Sequence, residues 1–392
     1  MTPLSQRLEF AETAARGLYT MTELCIRYGV SRRVGYKWLA RYAADGAAGL
    51  TDQSRRPATS PAAVSDDTAA RLLACRERHP TWGPRKLLAY LARRHPRVAW
   101  PAASTVGALL ARHGLVRARR RRPHPGHPGR PTTPMDAPNA VWTADFKGQF
   151  KTGDGIYCYP LTVCDGYARY LLACRGLPSV ETVGARGVFE RLFRTYGLPA
   201  RIRSDNGVPF ATAALGRLSA RSAWWIRLGI TPELIEPSSP QQNGQHERMH
   251  RTLKAEATKP ARASMAAQQR RFDAFRAEYN EERPHEALGN DTPADRYAPS
   301  PRPYPARLPE PEYPGHFEVR YVSRNGGVRW HNRRVNVSHV LAEQSVGLEE
   351  VADGIWSVYF GAVLLGRFDE GDLTIHGAHN RNKLYRRAQA DP

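Results

Sequence analysis

Three carboxylates are set apart by their surroundings. Asp145 lies in the alternating run Val141-Trp142-Thr143-Ala144-Asp145-Phe146, Asp205 follows Arg201-Ile202-Arg203-Ser204, and Glu247 sits in a helical run behind a polar loop. Cutting or transferring a phosphodiester at neutral pH is helped by two divalent ions about 4 Å apart, one activating the attacking oxygen and one stabilising the leaving oxygen. Hard Mg²⁺ takes carboxylate oxygens and keeps several waters, so two or three acids converging from different elements suffice. With 37 Asp and Glu in the chain, three acids mean little by number. Their local sequences carry the information, and Glu236 is a rival acid in the same interval.

The elements that would position them read as a mixed α/β module. Val141 to Phe146 alternates as a strand, and Tyr157 to Val163 with Tyr170 to Cys174 reads as a hairpin turning at Asp165-Gly166. Ser179 to Tyr196 is helical, capped at Ser179 and stopped by Gly197-Leu198-Pro199. Arg201 to Ser204 is a short strand that delivers Asp205, and Ile230 to Ile235 is another apolar segment. The loop from Glu236 to Gly244 leads into the helix of Glu247. There Glu247, Arg251 and Lys254 fall at i, i+4 and i+7, on one face, with His250 close to the same stripe. A carboxylate beside two cations is what a phosphate-binding helix would show. Asn206, Gly207, Asn243 and Gly244 would shape the loops around the site. Strands and helices in this order give a mixed sheet with helices on its faces.

The charge points to a polyanion. The chain has 392 residues and a formal net charge of +21, and residues 1–135 hold 24 Lys and Arg against 8 Asp and Glu. Each phosphate contact releases condensed counterions, so nucleic acid is the expected partner. Met21, Leu24, Cys25 and Tyr28 mark one helix face. Gly29 suits its C-terminus and Ser31 caps the next helix, Arg32 to Tyr42, which would bury Val34, Trp38 and Leu39. Arg33, Lys37 and Arg41 form a separate stripe flanked by Arg32 and Tyr36, the outline of a helix-turn-helix with a basic recognition helix. With a helix over Ser5 to Arg16 this makes an N-terminal domain, residues 1–56.

A second helix-turn-helix is expected over 62–116, after a linker around Ser54 to Pro61. Its helices run from Asp67 to Arg78, from Trp82-Gly83-Pro84 onward, and from a cap at Ser104 or Thr105 to His113-Gly114. Arg85 and Lys86 would face DNA. Residues 117–135 form a basic, proline-rich linker whose Arg119, Arg120, Arg121 and Arg122 could track a phosphate backbone. Behind the α/β module, seven prolines between Pro299 and Pro314 make a second linker, 298–314. Six short strand patterns over 315–375, with Asn325-Gly326 and Asp353-Gly354 as hairpin turns, read as a small antiparallel β-barrel, followed by a polar tail, 376–392.

Composition excludes other classes. No apolar run approaches the ~18 to 20 residues of a bilayer span, and the first residues lack a secretory apolar core, so a soluble cytoplasmic protein is expected. Five cysteines without a Cys-x-x-Cys pair suggest neither a disulfide framework nor a structural zinc site, and buried thiols are the expectation.

The local sequences carry a specific resemblance. Trp142-Thr143-Ala144-Asp145, Ser204-Asp205-Asn206-Gly207 and Pro240-Gln241-Gln242-Asn243-Gly244-Gln245-His246-Glu247-Arg248 resemble the three acidic motifs of DDE transposases and retroviral-type integrases. Phe275, Tyr279-Asn280, Arg283-Pro284-His285, Ala287-Leu288-Gly289 and Thr292-Pro293 resemble the end of that catalytic domain in bacterial insertion-sequence transposases. With the helix-turn-helix pair, the likeness covers most of residues 1–297. It implies a ribonuclease-H-like catalytic core over 136–297. Asp145, Asp205 and Glu247 would then be catalytic metal ligands for Mg²⁺ or Mn²⁺, two ions by the family's mechanism. Lys254 would match a position where the family often carries a cation that contacts the element end. It also implies double-stranded DNA partners, the element's terminal inverted repeats and target DNA, and a dimer or higher assembly on DNA. One departure is the 41 residues between Asp205 and Glu247, longer than in the best-known members, so Thr212 to Gly229 should hold a longer helix or an insertion. A DNA-binding regulator without catalysis and a simple nuclease are the rival readings of the same motifs.

Overall fold

The computed structural model describes residues 2–52, 63–116, 133–205, 214–235 and 240–377, in two compact units, 1–65 and 66–392. The first unit is three helices, α1 (Pro3–Ala15), α2 (Met21–Arg27) and α3 (Arg32–Asp45). Thr20 and Glu23 form a capping box at the start of α2, Gly29 takes a left-handed turn after it, and Ser31 caps α3 through the Val34 amide. Phe10, Leu24 and Cys25 are buried between the helices, with Trp38 and Leu39 packed against them. Gly35 lets α3 approach closely, since a Cβ there would stand 2.8 Å from Cys25 Sγ and 2.9 Å from Phe10 Cζ. Arg32, Arg33, Tyr36 and Lys37 are exposed and Arg41 is half-buried, so the expected stripe lies on an outer face.

The second unit starts with α4 (Asp66–Arg78), α5 (Pro84–Arg94) and α6 (Ala103–Arg112) around Leu72, Trp82, Leu87, Val106 and Leu110. Helix α6 begins at Ala103 without a side-chain cap, so neither Ser104 nor Thr105 has the expected capping role. The central sheet comprises β1 (Val141–Phe146), β2 (Phe150–Lys151), β3 (Tyr157–Asp165), β4 (Leu171–Leu177), β5 (Arg201–Ser204) and β6 (Thr231–Leu234). Strands β4, β3 and β1 are antiparallel, and β1, β5 and β6 are parallel. Helix α7 (Thr182–Tyr196) packs on the face of Trp142 and Ala144. It starts three residues later than expected, with Glu181 rather than Ser179 at its cap position. On the face of Cys158, Cys164 and Cys174 lie α9 (Gly244–Ala257) and α10 (Met265–Ala277), after a short α8 (Ala220–Arg227). All five cysteines are buried and free. A five-residue π-turn, Glu278–Glu282, and a single-turn α11 (Pro293–Arg296) end the module.

Among the described residues, the interval between Asp205 and Glu247 holds a segment with a packing role and no long helix. Among its described residues are a 3₁₀ turn, Leu215–Arg217, and the eight-residue α8. Leu218, Ala223 and Ile226 from this stretch are buried in one cluster with Val322, Trp330, Val346, Val358 and Phe368 of the C-terminal strands. Those strands are β7 (Glu318–Tyr321), β8 (Gly327–Trp330), β9 (Arg333–Asn336), β10 (Ser345–Ala352), β11 (Ile355–Phe360), β12 (Val363–Asp369) and β13 (Thr374–Gly377). They form an open five-stranded sheet, β13-β12-β11-β10-β7, beside a β8-β9 ribbon. No closed barrel exists among the described residues, because the insertion, and not a closing strand, covers the apolar face.

The proline-rich stretch 298–314 forms neither helix nor strand and is fixed to the core. Arg302 donates to the carbonyls of Pro199, Leu228 and Gly229, the Ser300 amide donates to Tyr196 O, and Tyr304 and Leu308 pack on the core. Proline-set extended backbone leaves its carbonyls and side chains available for such bonds.

Candidate metal centre

Parallel pairing of β1 with β5 aligns Ala144 with Ser204, so the next residues, Asp145 and Asp205, stand side by side at the carboxyl ends of neighbouring strands. Strand alternation places Thr143 and Asp145 opposite Trp142 and Ala144, on the face that carries α9. Helix α9 presents Glu247, His250, Arg251 and Lys254 to one open cleft of about 520 Å³, completed by Asp145, Phe146, Lys147 and Gly148. Glu247, Arg251 and Lys254 are exposed there, on the common face their spacing requires.

The neighbouring acids raise the proton affinity of Asp145. The Asp145 carboxyl is pushed up to about 7, first by burial, then by Asp205, with Glu247 adding to the effect and the Phe146 amide and Lys147 opposing it. Crowded carboxylates of this kind are stabilised by a cation, and the oxygen-rich set fits a divalent one.

Beneath Asp145 lies a network that sequence reading did not assemble. Thr162, the register partner of Asp145, contacts His246 Nε2 and His250 Nε2 at 2.7 Å each and donates to the Asp145 carbonyl at 3.0 Å. His246 Nδ1 meets the Thr143 hydroxyl at 2.7 Å, and His250 Nδ1 lies 3.6 Å from Asp145 Oδ2. Burial holds both imidazoles neutral, His246 down to about 3 and His250 down to about 2. Asp145, His246 and His250 form the one group of metal-capable side chains found among the described residues. The signal was present as His246-Glu247-Arg248-Met249-His250, since histidines four apart share a helix face. The spacing is that of zinc peptidases, but here both nitrogens of His246 are spent on threonine hydroxyls.

Other expected DNA contacts are placed elsewhere. His250 is buried against Asp145 and Asn243 is buried at the start of α9, because this end of the helix packs onto the sheet. Arg85 pairs with Glu286 at 2.6 Å. Lys86 is half-buried, and burial with neighbouring Arg283 pushes it down to about 8. Both belong to a contact between α4–α5 and the end of the core. Arg93 grips Asp295 through two bonds of 2.7 and 2.9 Å, Arg78 and Arg94 reach Glu282, and His79 Nδ1 meets Glu278 at 2.8 Å. The module's basic residues on this side therefore neutralise the acids of the π-turn and α11. Arg119 to Arg122, Asn206, Gly207 and the rival Glu236 lie outside the described residues.

The chain matches known families in the same places. Integrase core domain models match residues 135–240 and 228–293, a helix-turn-helix domain model matches 6–58, and a homeodomain-like model matches 34–110. An uncharacterised 31.7 kDa protein of insertion element IS407 from Burkholderia multivorans is 28% identical over 182 residues, 46% of this chain and 63% of that protein. An uncharacterised 39.2 kDa protein of insertion element IS476 from Xanthomonas euvesicatoria is 27% identical over 295 residues, 74% of this chain and 82% of that protein. The chain thus spans less than two thirds of the first relative. Among solved structures, the HTLV-2 integrase catalytic core domain in complex with magnesium is 14% identical, with a TM-score of 0.33, over 41% of this chain and 97% of that one.

A sheet that sets two aspartates side by side and a helix that adds a glutamate to their cleft lie within the residues that match integrase core domain models, so the chain carries an integrase core domain behind helix-turn-helix domains. The two relatives named above are proteins of bacterial insertion elements, 28% and 27% identical to it. No helix among the described residues is long and apolar enough to cross a membrane.

Proposed function

We propose that the protein is a transposase that binds the terminal inverted repeats of its own element, cuts the phosphodiester at the element end and joins the freed 3′-hydroxyl to target DNA. The observation that carries this is the parallel β1–β5 register, which sets Asp145 beside Asp205 at the mouth of the cleft holding Glu247. These three acids would hold Mg²⁺ or Mn²⁺, two ions in this reading. Bound there, the cations supply Lewis-acid polarisation of the phosphate and a more acidic water.

The chain's own residues position the substrate. Arg251 and Lys254 follow Glu247 along one face of α9 and would offer cations to phosphates beside the scissile bond, and Lys147 lines the same cleft. Water attacks first and leaves a 3′-hydroxyl. That oxygen then attacks a target phosphate in line and displaces the neighbouring 3′-oxygen, so no protein–DNA bond forms. Arg32, Arg33, Tyr36, Lys37 and Arg41 of α3 supply the end-reading surface. The chain works as a dimer or higher assembly, because two ends must be joined together.

The test is cleavage and joining on labelled DNA carrying the ends that flank the gene, in Mg²⁺ and Mn²⁺, for wild type and Asp205→Asn. Metal-dependent 3′ cleavage with a joined product, both lost in the variant, supports the transposase. Cleavage without joining identifies a nuclease, and specific end binding with neither reaction identifies a regulator.

A further inference from the structure

Counting protons around Thr162 fixes what His250 offers to the cleft. The Thr162 hydroxyl has one hydrogen and two lone pairs. Its hydrogen goes to the Asp145 carbonyl, which can only accept, so both Nε2 atoms at 2.7 Å must donate. The one Thr143 hydroxyl hydrogen then turns to His246 Nδ1 at 2.7 Å in preference to the Cys164 carbonyl at 3.4 Å, and both nitrogens of His246 are used. His250 is left with an Nδ1 lone pair aimed at the Asp145 carboxylate, 3.6 Å from Oδ2. With Asp145 ionised, as a cation would keep it, two acceptors face each other and form no hydrogen bond. Donor atoms each about 2.1 Å from a shared cation do stand about 3 to 4 Å apart. A metal-ligating histidine usually donates its other ring N–H to an acceptor that fixes its tautomer, and the Thr162 hydroxyl oxygen fills that place here.

We infer that His250 Nδ1 is a ligand of the cation held by Asp145, which makes this centre a mixed nitrogen–oxygen site favouring first-row ions such as Mn²⁺ and Co²⁺ over Mg²⁺. The inference rests on the metal-centre reading of Asp145 above. Imidazole raises affinity for transition ions, while Mg²⁺ gains little from a nitrogen donor. Thr162 and His246 act here as positioning residues, holding the His250 ring in the tautomer that binds.

The experiment is pulsed electron paramagnetic resonance of the full chain loaded with Mn²⁺, without DNA, alongside Mn²⁺ titration and Mg²⁺ competition. Wild type should show coupling to a directly bound imidazole nitrogen, and ¹⁵N-histidine labelling should change it without any substitution. His250→Gln, which keeps an Nε2-like donor towards Thr162, should lose the coupling, bind Mn²⁺ roughly tenfold more weakly and change little towards Mg²⁺. Asp145-dependent Mn²⁺ binding without nitrogen coupling overturns the inference and leaves the metal centre standing. Coupling lost in His246→Asn but kept in His250→Gln overturns it as well. Absence of any saturable, Asp145-dependent Mn²⁺ binding removes the metal-centre reading and this inference together. Should His250→Gln not fold, the labelled wild-type spectrum still decides whether histidine is a ligand.

Discussion

Ala144 of β1 and Ser204 of β5 are register partners in parallel strands, so the acids that follow them stand at one level. Two residues 60 positions apart in sequence thereby share one electrostatic environment, visible in the raised proton affinity of Asp145. The third acid reaches that level from α9, whose first turn carries Glu247 into the same cleft.

Glu247→Gln should leave end binding intact and abolish both cleavage and joining. A loss of roughly a thousandfold or more in rate, about 4 kcal/mol of barrier, is expected if Glu247 is a ligand of the proposed metal centre. Single-turnover cleavage beside a gel-shift titration measures both quantities, and a variant that still cuts at a tenth of the wild-type rate would move the third acid elsewhere.

The pH dependence of metal-free stability follows from Asp145. Its carboxyl rises from an ordinary 3.8 to about 7 in the folded chain, so the folded state binds the proton more tightly than the unfolded state. Stability from this group is greatest below 3.8, falls as pH rises between 3.8 and 7, and stays low above 7. In chelator, Asp145→Asn should therefore melt higher than wild type at pH 8, and the advantage should shrink towards pH 4. Thermal melts across that range check the sign.

The contact between α4–α5 and the core should depend on its buried member more than on its charged rim. His79 is buried, stacks on Trp82 at 3.8 Å and bonds Glu278, whereas Arg93 and Asp295 are each more than a third exposed. His79→Ala is expected to cost about 2 to 3 kcal/mol through lost packing and an unpaired carboxylate. Arg93→Ala should cost no more than about 1 kcal/mol, since water screens exposed pairs. Urea denaturation of the two variants ranks them directly.

Leu218 tests the role of the insertion. It is 3% exposed and lies in the cluster formed with the C-terminal strands. Leu218→Ala should destabilise the chain by about 2 to 5 kcal/mol and perturb the fluorescence of Trp330 and Trp356 in that cluster. Cutting the chain after 314 should expose Leu218, Ala223 and Ile226 and cause aggregation, which light scattering would register.

The sequence by itself determined the parts that local rules govern. Apolar spacing and caps located α1 to α3, alternation located β1, β3 and β5, and the residues around Asp145, Asp205 and Glu247 singled those acids out of 37. Partnership between distant segments was decided only in three dimensions. Arg85 reads as a DNA contact because its charge is visible in sequence, while Glu286, which meets it, lies 201 residues away. The expected barrel is an open sheet because its apolar face is covered by Leu218 and Ile226, from an insertion over a hundred residues earlier. His250 reads as a surface residue on its helix, and its meaning changes once Thr162 claims one nitrogen and turns the other towards Asp145. Periodicity along a chain records which face of an element is buried, and it holds no record of which other element does the burying.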